Sequence, residues 1–291
     1  MKVLVTGANG QLGYDVIKKL EEKEIEYLGT DRDTLDITNE DDVKRVIRDY
    51  SPDVVVHCAA YTAVDKAEDE RELCYAVNVL GTRYIAKACK EIDAKMIYIS
   101  TDYVFDGEGD TPFEVTDKPN PINYYGQTKY DGELEVQKIL DNYFVVRISW
   151  VFGSNGNNFV KTMLRLGKER DEISVVADQV GSPTYTPDLA KLLVEMVKTD
   201  KYGVYHATNE GYCSWYDFAC EIFEQAGYNI KVNPMKTDDY PTRARRPKNS
   251  RMNKDSIENH FYILRNYKEA LFDFLNSLEI DRSKTSRWKT K

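Results

Sequence analysis

The chain has 291 residues, 42% of them hydrophobic, which is enough to bury a core in one large domain or in a domain with a smaller lobe. Its 40 lysines and arginines oppose 49 aspartates and glutamates, and a net charge of −9 argues against nucleic-acid binding because the chain would repel phosphate backbones. No apolar run approaches the ~20 residues of a membrane span, no signal peptide is recognisable, and five cysteines form no CxxC motif, so we expect a cytoplasmic protein with reduced thiols.

Short apolar segments alternate with helical patterns through the first half of the chain. The predicted strands are 2–6, 26–31, 53–60, 95–101 and 143–149. The predicted helices between them are 11–23, 41–50, 72–92 and 125–140. Apolar strands that alternate with helices indicate an α/β fold, in which a doubly wound parallel sheet is covered on both faces.

The pattern becomes irregular after Trp150. Helices are predicted at 157–169, 187–199, 214–227 and 266–278, a strand at 202–208, and a loop at 240–253. Ser214 is expected to cap its helix and Gly227 to end it. We therefore predict a main domain of residues 1–150, a smaller C-terminal α/β lobe of residues 151–280 with some elements returning to the sheet, and a polar tail of residues 281–291.

Three glycines lie between the first predicted strand and the first predicted helix. Gly7, Gly10 and Gly13 have the spacing G-x-x-G-x-x-G, which differs from the common dinucleotide fingerprint. Glycines allow a tight turn and close approach of the backbone to a diphosphate, and the N terminus of the helix supplies free N–H groups. This position in a β-α-β unit favours a Rossmann-like dinucleotide-binding domain over a glycine-rich turn without a ligand.

An acidic residue follows the second predicted strand, where a dinucleotide-binding domain contacts the adenosine ribose. Asp31 at this position would bond the ribose hydroxyls and disfavour a 2′-phosphate, whereas the adjacent Arg32 would accept one. The same segment can also be a charged turn with solvated side chains. The predicted cofactor is therefore NADPH or NADH, with the choice left open.

Small and hydroxyl side chains follow the third and fourth predicted strands. Ala59 and Ala60 would let a cofactor lie against the backbone, although close packing alone would also select small residues. Ser100 and Thr101 end the fourth strand, and ligands of open α/β sheets bind outside the carboxyl ends of the strands. Their hydroxyls would serve either a substrate or local backbone groups.

Tyr125 and Lys129 lie four residues apart at the start of a predicted helix and therefore share one helix face. An ammonium group beside a phenol is expected to lower the pKa of the phenol, which prepares it to exchange a proton with a carbonyl or an alcohol. The spacing alone decides nothing, because Tyr14 and Lys18 share it. The position beside Thr101 favours Tyr125 and Lys129 as an acid/base pair.

The motifs TGANGQLG, STDYVFDG and YGQTK, in this order, resemble the extended short-chain dehydrogenase/reductase superfamily. The segments AAYTAVDKAE, SWVFG, GNNFVKTMLRL, DQVGSPT and YPTRARRPKNSRMN resemble dTDP-4-dehydrorhamnose reductases, from residue 1 to about residue 280. This resemblance implies hydride transfer from NADPH or NADH to the 4-keto carbon of dTDP-4-dehydro-L-rhamnose. The product would be dTDP-L-rhamnose, a nucleotide sugar for cell-surface polysaccharide.

The resemblance also implies roles for single residues. Tyr125 would donate the proton, Lys129 would bond the nicotinamide ribose and tune Tyr125, and Thr101 would bond the ketone oxygen. Asp102 and Trp150 would contact the sugar nucleotide. With the residues already named, the predicted cofactor-binding set is Gly7, Gly10, Gln11, Leu12, Gly13, Asp31, Arg32, Asp36, Ala59, Ala60, Thr62, Tyr125 and Lys129.

The loop segment RARRPKNSR, residues 243–251, is the densest positive run before the tail. An acidic protein needs a local basic patch for a nucleotide diphosphate, and arginine binds phosphate oxygens through two parallel bonds. We expect Arg246 to be the main contact, since Pro247 restrains its backbone, with Asn249 nearby as a neutral donor. The alternative is a solvated charged loop.

Two other functions stay open at this point. A nucleotide-sugar epimerase or dehydratase of the same superfamily would share the general motifs, although STDYV lacks the acidic residue that a dehydratase adds after Asp102. A non-catalytic regulatory subunit that resembles the β subunit of methionine adenosyltransferase is the second alternative. Some relatives form metal-linked dimers, but no ligand cluster is visible here, so we predict no metal and either a monomer or a homodimer.

Overall fold

A six-stranded, fully parallel sheet forms the centre of the molecule, in the order β10–β5–β4–β3–β1–β2. This computed structural model describes residues 1–278. The strands are β1 (Lys2–Thr6), β2 (Glu26–Thr30), β3 (Val54–His57), β4 (Lys95–Thr101), β5 (Tyr143–Ile148), β6 (Val151–Phe152), β7 (Glu172–Val176), β8 (Val180–Gly181), β9 (Thr184–Tyr185), β10 (Gly203–His206), β11 (Asn209–Glu210), β12 (Cys213–Ser214), β13 (Lys231–Met235), β14 (Asn249–Ser250) and β15 (Leu264–Asn266).

Helices cover both faces of this sheet. The helices are α1 (Gln11–Glu22), α2 (Glu40–Tyr50), α3 (Arg71–Tyr75), α4 (Thr82–Glu91), α5 (Tyr124–Ile139), α6 (Phe159–Glu169), α7 (Thr186–Met196), α8 (Trp215–Ala226), α9 (Asp255–His260) and α10 (Tyr267–Ser277). Val3 and Val5 of β1 pack against α1 and α7, whereas Leu4 packs with α2 and α4 on the opposite face. This alternation buries both faces and confirms the predicted α/β, Rossmann-like doubly wound sheet.

Two predicted elements differ in detail from the structure. The helix predicted at 72–92 contains a π-helical segment, Ala76–Gly81, between α3 and α4. The third strand ends at His57 instead of residue 60, because the Ala59 N–H bonds the Thr6 hydroxyl (3.2 Å) instead of continuing the ladder. The chain after β3 is therefore irregular backbone beside the first glycine turn.

The second half builds a core of its own beside the sheet. Apolar side chains of α6, α8 and α10 pack with β7, which pairs with β13. The helix α8 has the predicted termini: the Ser214 hydroxyl accepts a bond from Asp217 N (3.0 Å), and Gly227 has φ +74°. The predicted loop at 240–253 contains the short strand β14, which pairs with β8.

One strand of the second half, β10, belongs to the central sheet and pairs with β5. Helix α7 of the same half packs on α1. The division at residue 150 stays a prediction, and the predicted tail of residues 281–291 lies outside the described residues.

No helix within residues 1–278 is long and apolar enough to cross a membrane. All five cysteines are free thiols.

Candidate active site

A cleft of about 910 Å³ opens at the carboxyl ends of β1 to β5. Strand-end residues such as Thr6, Thr30 and Thr101 line it, as expected for an open α/β sheet. The predicted site residues that line the cleft are Gly7, Gly10, Gln11, Leu12, Gly13, Asp31, Arg32, Asp36, Ala59, Ala60, Thr62, Thr101, Asp102, Tyr125, Lys129 and Trp150. The structure therefore brings the predicted cofactor-binding and catalytic side chains into one cavity.

The glycine turn presents bare backbone to this cleft. Gly7 has φ +67°, and a Cβ atom there would lie 2.8 Å from Ala59 N. A Cβ atom on Gly13 would lie 2.1 Å from the Gly7 carbonyl oxygen. Gly10 caps α1 without a side-chain bond, and Gln11, Leu12 and Gly13 of its first turn line the cleft. This arrangement fits a dinucleotide diphosphate, which needs close backbone approach and free N–H donors.

A loop of the second half holds the glycine turn from the other side. The Asn155 side-chain amide donates to the carbonyl oxygens of Asn9 (2.6 Å) and Gly10 (3.3 Å). The Asn158 amide donates to Gln11 Oε1 at 3.1 Å. Sequence reasoning missed these contacts, although the run SNGNN between a strand and a helix is an unusual concentration of amides.

The predicted adenosine end of the cleft is acidic. Asp31 Oδ2 accepts a bond from Asn9 N at 2.6 Å, which ties the end of β2 to the glycine turn. Bonds from Thr38, and then the charge of Arg32, hold the pKa of Asp36 below its ordinary value. Arg32 is exposed at the rim of the cleft. The structure thus places an acid and a cation side by side where the ribose is expected.

Tyr125 lies in the first turn of α5. Asn123 caps this helix by accepting a bond from Gly126 N at 2.8 Å. Burial raises the pKa of Tyr125 well above its ordinary value, and the charge of Asp102 adds to the rise, while a bond with Thr101 opposes it. The expectation that Lys129 lowers this pKa is therefore wrong for this structure, because desolvation of the phenolate dominates.

Lys129 is almost fully buried, with 3% of its surface exposed. Its ammonium nitrogen lies 4.2 Å from the centre of the Tyr98 ring, a cation–π contact. Burial lowers the pKa of Lys129 to about 7, although the negative charge of Glu133 opposes this change. Lys129 therefore titrates near neutral pH, unlike an exposed lysine.

Thr101 and Asp102 form a bonded unit at the end of β4. The Thr101 hydroxyl donates to Asp102 Oδ1 at 2.9 Å and accepts a bond from Tyr103 N at 3.2 Å. Burial raises the pKa of Asp102 to about 6, against hydrogen bonds from Ser250 and Thr101. Asp102 is thus a carboxyl group that exchanges its proton close to neutral pH.

Two stacked indoles form one wall of the cleft. Trp150 has a left-handed backbone (φ +49°), and its ring stacks on Trp215 at 3.7 Å with an interplanar angle of 14°. Phe159 supports Trp215 from behind, at 4.6 Å between ring centres. Trp150 was predicted as a site residue, whereas Trp215 was missed, because in sequence it is only the first residue of an amphipathic helix.

The structure does not bring Arg246 and Asn249 into the lining of this cleft. Arg246 Nη2 donates to Asp65 Oδ2 at 2.6 Å, and its side chain borders a smaller cleft of about 390 Å³ with Arg245 and Lys248. Asn249 is buried, and its amide donates to the carbonyl oxygen of Thr111 at 2.8 Å. Asn249 therefore holds the neighbouring loop instead of facing an open cavity.

Other cations of the loop 243–251 are also paired. Arg243 forms an ion pair with Asp69 at 2.7 Å, and Lys248 forms one with Asp178 at 3.5 Å. Within the described residues, Arg245 and Arg251 have no acidic partner, and Arg251 Nη1 instead donates to Asn249 Oδ1 at 3.0 Å, so only part of the positive charge of the loop is neutralised. Within residues 1–278, no group of three or more His, Cys, Asp and Glu side chains is arranged to hold a metal.

Comparison with known proteins gives one consistent family. Residues 1–280 match the family described as the RmlD substrate binding domain. A dTDP-4-dehydrorhamnose reductase from Aggregatibacter actinomycetemcomitans is 44% identical, over 90% of this chain and 94% of the relative. A relative of the same name from Escherichia coli strain K12 is 39% identical, over 96% of this chain and 98% of the relative.

A solved structure agrees with these relatives. The crystal structure of dTDP-4-dehydrorhamnose reductase from Bacillus anthracis strain Ames, in complex with NADP, superposes with a TM-score of 0.93. The two proteins are 45% identical, and the alignment covers 95% of this chain and 99% of the other. The likeness therefore extends over the central sheet and the second half alike.

Proposed function

This chain belongs to the dTDP-4-dehydrorhamnose reductase family, and from that premise we propose that it reduces the 4-keto group of dTDP-4-dehydro-L-rhamnose to give dTDP-L-rhamnose. The reductant is NADPH or NADH, and the product serves the synthesis of cell-surface polysaccharide. The observation that carries the proposal is the meeting of Thr101, Tyr125 and Lys129 with the glycine turn in one cleft.

The cofactor would lie along the glycine turn, with its diphosphate on the N–H groups at the start of α1. Asp31 and Asp36 would contact the adenosine ribose, and Ala59, Ala60 and Thr62 would line the path toward the nicotinamide. The nicotinamide supplies the hydride when the cofactor is bound. The close backbone packing of Gly7 and Gly13 supports this placement, since a Cβ atom at either position would clash with the backbone that shapes the turn.

Tyr125 would donate a proton to the oxygen that becomes a hydroxyl. Burial raises the pKa of Tyr125 toward that of a sugar alcohol, so the phenol and the alkoxide that forms would share the proton at little cost in free energy. The raised pKa also keeps Tyr125 protonated at neutral pH, as a proton donor requires. The Thr101 hydroxyl, which bonds Asp102 here, would turn its hydrogen toward the ketone oxygen.

Lys129 would bond the nicotinamide ribose through its ammonium group. Its position below Tyr125 on α5 supports this role, since the two side chains share one helix face. The contact of Lys129 with the Tyr98 ring fixes the direction of its side chain. A charged Lys129 would also stabilise the phenolate that remains after proton transfer.

The sugar nucleotide would extend from Asp102 and Trp150 toward the smaller cleft. Arg246 borders the smaller cleft and pairs with Asp65, and its charge acts on Tyr103, which lines the larger cleft and whose ring contacts Tyr125. We propose that the diphosphate replaces Asp65 as the partner of Arg246, since guanidinium groups bind phosphate and carboxylate in the same geometry. Asn249 would contribute by holding this loop and not by touching the substrate.

The purified chain, mixed with dTDP-4-dehydrorhamnose and NADPH or NADH, should oxidise the cofactor and form dTDP-L-rhamnose, identified by mass spectrometry and NMR. Reversible inversion of a sugar without external reductant, with cofactor retained through purification, would instead indicate an epimerase. Cofactor binding without turnover of any nucleotide sugar, together with a stable protein complex, would indicate a regulatory subunit.

We further propose that the protein acts in the cytoplasm as a monomer or homodimer, with residues 1–150 as the dinucleotide-binding part and residues 151–280 as the main substrate-binding part. The five free thiols suit a reducing compartment. Light scattering of the purified chain and fractionation of the source cells test the first two points. Cofactor and substrate footprints by hydrogen exchange test the third.

A further inference from the structure

A buried ion pair lies one helical turn beyond Lys129. Glu133 of α5 bonds Arg147 of β5 through two contacts, Nε to Oε1 at 2.9 Å and Nη2 to Oε2 at 2.7 Å. The two side chains expose 0% and 4% of their surface. Such a pair is weak grounds for a role in stability, because the desolvation of two charges offsets their attraction.

The surroundings of Arg147 hold its guanidinium group in place. Its Nη1 donates to His206 Nε2 at 3.4 Å, and the other nitrogen of His206 donates to the Asn253 carbonyl oxygen at 3.0 Å. Burial, then the charge of Arg147, lowers the pKa of His206 to about 3, so this imidazole is a neutral acceptor. The guanidinium group also lies 5.1 Å from the Phe105 ring centre. Arg147 has therefore one anionic partner, Glu133.

Lys129 faces neutral groups from the sheet. The phenol of Tyr98, from β4, has a pKa well above its ordinary value because of burial. Burial lowers the pKa of His57, from β3, to about 3 and raises the pKa of Cys58 to about 12. None of these three side chains carries a charge near pH 7, so none compensates the ammonium group of Lys129.

The helices that pack on the other side of Lys129 contribute one negatively charged side chain. Burial raises the pKa of Cys74, from α3, and of Tyr125, so both stay protonated near neutral pH. Glu133 is the carboxylate that acts on Lys129, at position i+4 of the same helix. Burial of Lys129 and the charge of Glu133 therefore oppose each other.

We infer that Glu133 and Arg147 are positioning residues of the proposed reductase, a buried ion pair that keeps the Lys129 ammonium group charged where burial alone would neutralise it. Arg147 is required because a buried carboxylate without a cationic partner is energetically costly. The inference rests on the proposed function for its catalytic consequence, but its electrostatic part concerns Lys129 alone.

The direct test is the titration of Lys129 by NMR, with lysine labelled in its side chain and Lys129→Arg used to assign the signal. Wild-type Lys129 should titrate at a pKa of about 7. Glu133→Gln should lower this pKa by about one unit, a tenfold change in the ratio of charged to neutral lysine. An unchanged or higher pKa in a folded variant would overturn the inference.

Glu133→Gln leaves Arg147 buried without an anion, so it can unfold the protein. The double variant Glu133→Gln/Arg147→Gln removes both charges and retains amide hydrogen bonding, and it should still lower the pKa of Lys129, though by less than Glu133→Gln, because the loss of the Arg147 cation opposes the loss of the carboxylate. The matched control is Glu135→Gln/Arg83→Gln, which removes the neighbouring, partly exposed ion pair of the same helix. The control should leave the titration of Lys129 unchanged.

Turnover gives the second readout. In the double variant, the alkaline limb of the kcat/KM profile should move to lower pH by the same shift, whereas a purely structural defect would lower kcat/KM at every pH. The NMR titration needs no substrate. If the variant lowers the pKa of Lys129 but the wild-type chain has no reductase activity, the proposed function is wrong and the inference stands. If the double variant keeps full activity and the alkaline limb of its kcat/KM profile does not move, the inference is wrong and the proposed function stands.

Discussion

The two ends of the cleft are built in opposite ways. At the glycine turn, backbone N–H groups face the cavity, and the nearby side chains hold the turn from behind. At the loop 243–251, three of the charged groups that suit a diphosphate are already bonded to acids of the protein: Arg243 to Asp69, Arg246 to Asp65 and Lys248 to Asp178. The first end is preorganised for its ligand, whereas the second must exchange partners.

This difference has an energetic consequence. Preorganised N–H donors lose little when a diphosphate arrives, because no internal bond is broken. Arg246 Nη2 is already bonded to Asp65, so a phosphate that uses this nitrogen must displace a carboxylate that is 45% exposed. We therefore expect tight and salt-insensitive cofactor binding, and weaker substrate binding that depends more strongly on salt.

The largest loss of activity should come from a substitution of Tyr125, which lies where the cofactor end and the substrate end of the cleft meet. Tyr125→Phe removes only the hydroxyl, so the fold and cofactor affinity should persist while kcat falls by ~10²-fold or more, the scale of a lost acid catalyst. Stopped-flow measurement of cofactor oxidation checks this result. Tyr14→Phe is the control, since Tyr14 has the same spacing to a lysine but is 47% exposed on α1. Near-wild-type turnover of Tyr125→Phe would remove Tyr125 from the mechanism.

The substrate end is tested by Arg246→Ala, which should raise the KM for the sugar nucleotide about 10-fold, the scale of a charged hydrogen bond. The Kd for the cofactor should hardly change. Arg243→Ala is the matched control, because Arg243 is an exposed member of the same loop paired with Asp69. An unchanged KM for the sugar nucleotide together with weaker cofactor binding would assign the loop to the cofactor end. The two ends of the cleft would then not differ in the way described here.

The adenosine end of the cleft should discriminate weakly between cofactors. Asp31 opposes a 2′-phosphate and Arg32 accepts one, so kcat/KM for NADPH and NADH should differ by less than about tenfold. Steady-state kinetics with both cofactors give the ratio. Asp31→Asn should move the ratio toward NADPH, and Arg32→Gln should move it toward NADH. A preference for NADPH above tenfold in the wild type would show that Arg32 or another cation dominates.

The smallest effect should come from the loop that holds the glycine turn. Asn155→Ala removes the amide that bonds Asn9 and Gly10, and because the 3.3 Å bond to Gly10 is the weaker, we count one hydrogen bond of about 0.5–1.5 kcal/mol, which should raise the cofactor Kd roughly 2- to 12-fold. Fluorescence titration with the reduced cofactor measures this change. Asn233→Ala, a substitution in β13 far from the turn, is the control. A Kd equal to wild type would show that the turn needs no support from the second half.

The glycine turn and the Tyr125 helix could be predicted because each is encoded within about a dozen consecutive residues. Strand, turn and helix positions follow from local patterns, and the sheet then brings their ends together. The partners of the loop 243–251 could not be predicted in this way. Asp65, Asp69 and Asp178 lie far away in the chain, and no local pattern indicates which cation they neutralise.

The error about Tyr125 has the same origin. The spacing to Lys129 indicated a lowered phenol pKa, but the depth at which both side chains are buried depends on the whole fold. Trp215 and Asn155 were missed because each acts through a contact with a distant segment, Trp150 in one case and the glycine turn in the other. Local sequence thus predicts which groups are present, and tertiary packing decides their charge and partners.

The pairing of β10 with β5 limits how the chain can be divided. A fragment that ended near residue 150 would leave the backbone N–H and C=O groups of β5 open along one side, and an uncovered strand edge of apolar residues recruits other chains into aggregates. The first half should therefore be insoluble when expressed alone and should be rescued by co-expression with residues 151–291. The protein would then behave as a split reporter, whose two pieces regain cofactor binding only when β10 completes the sheet.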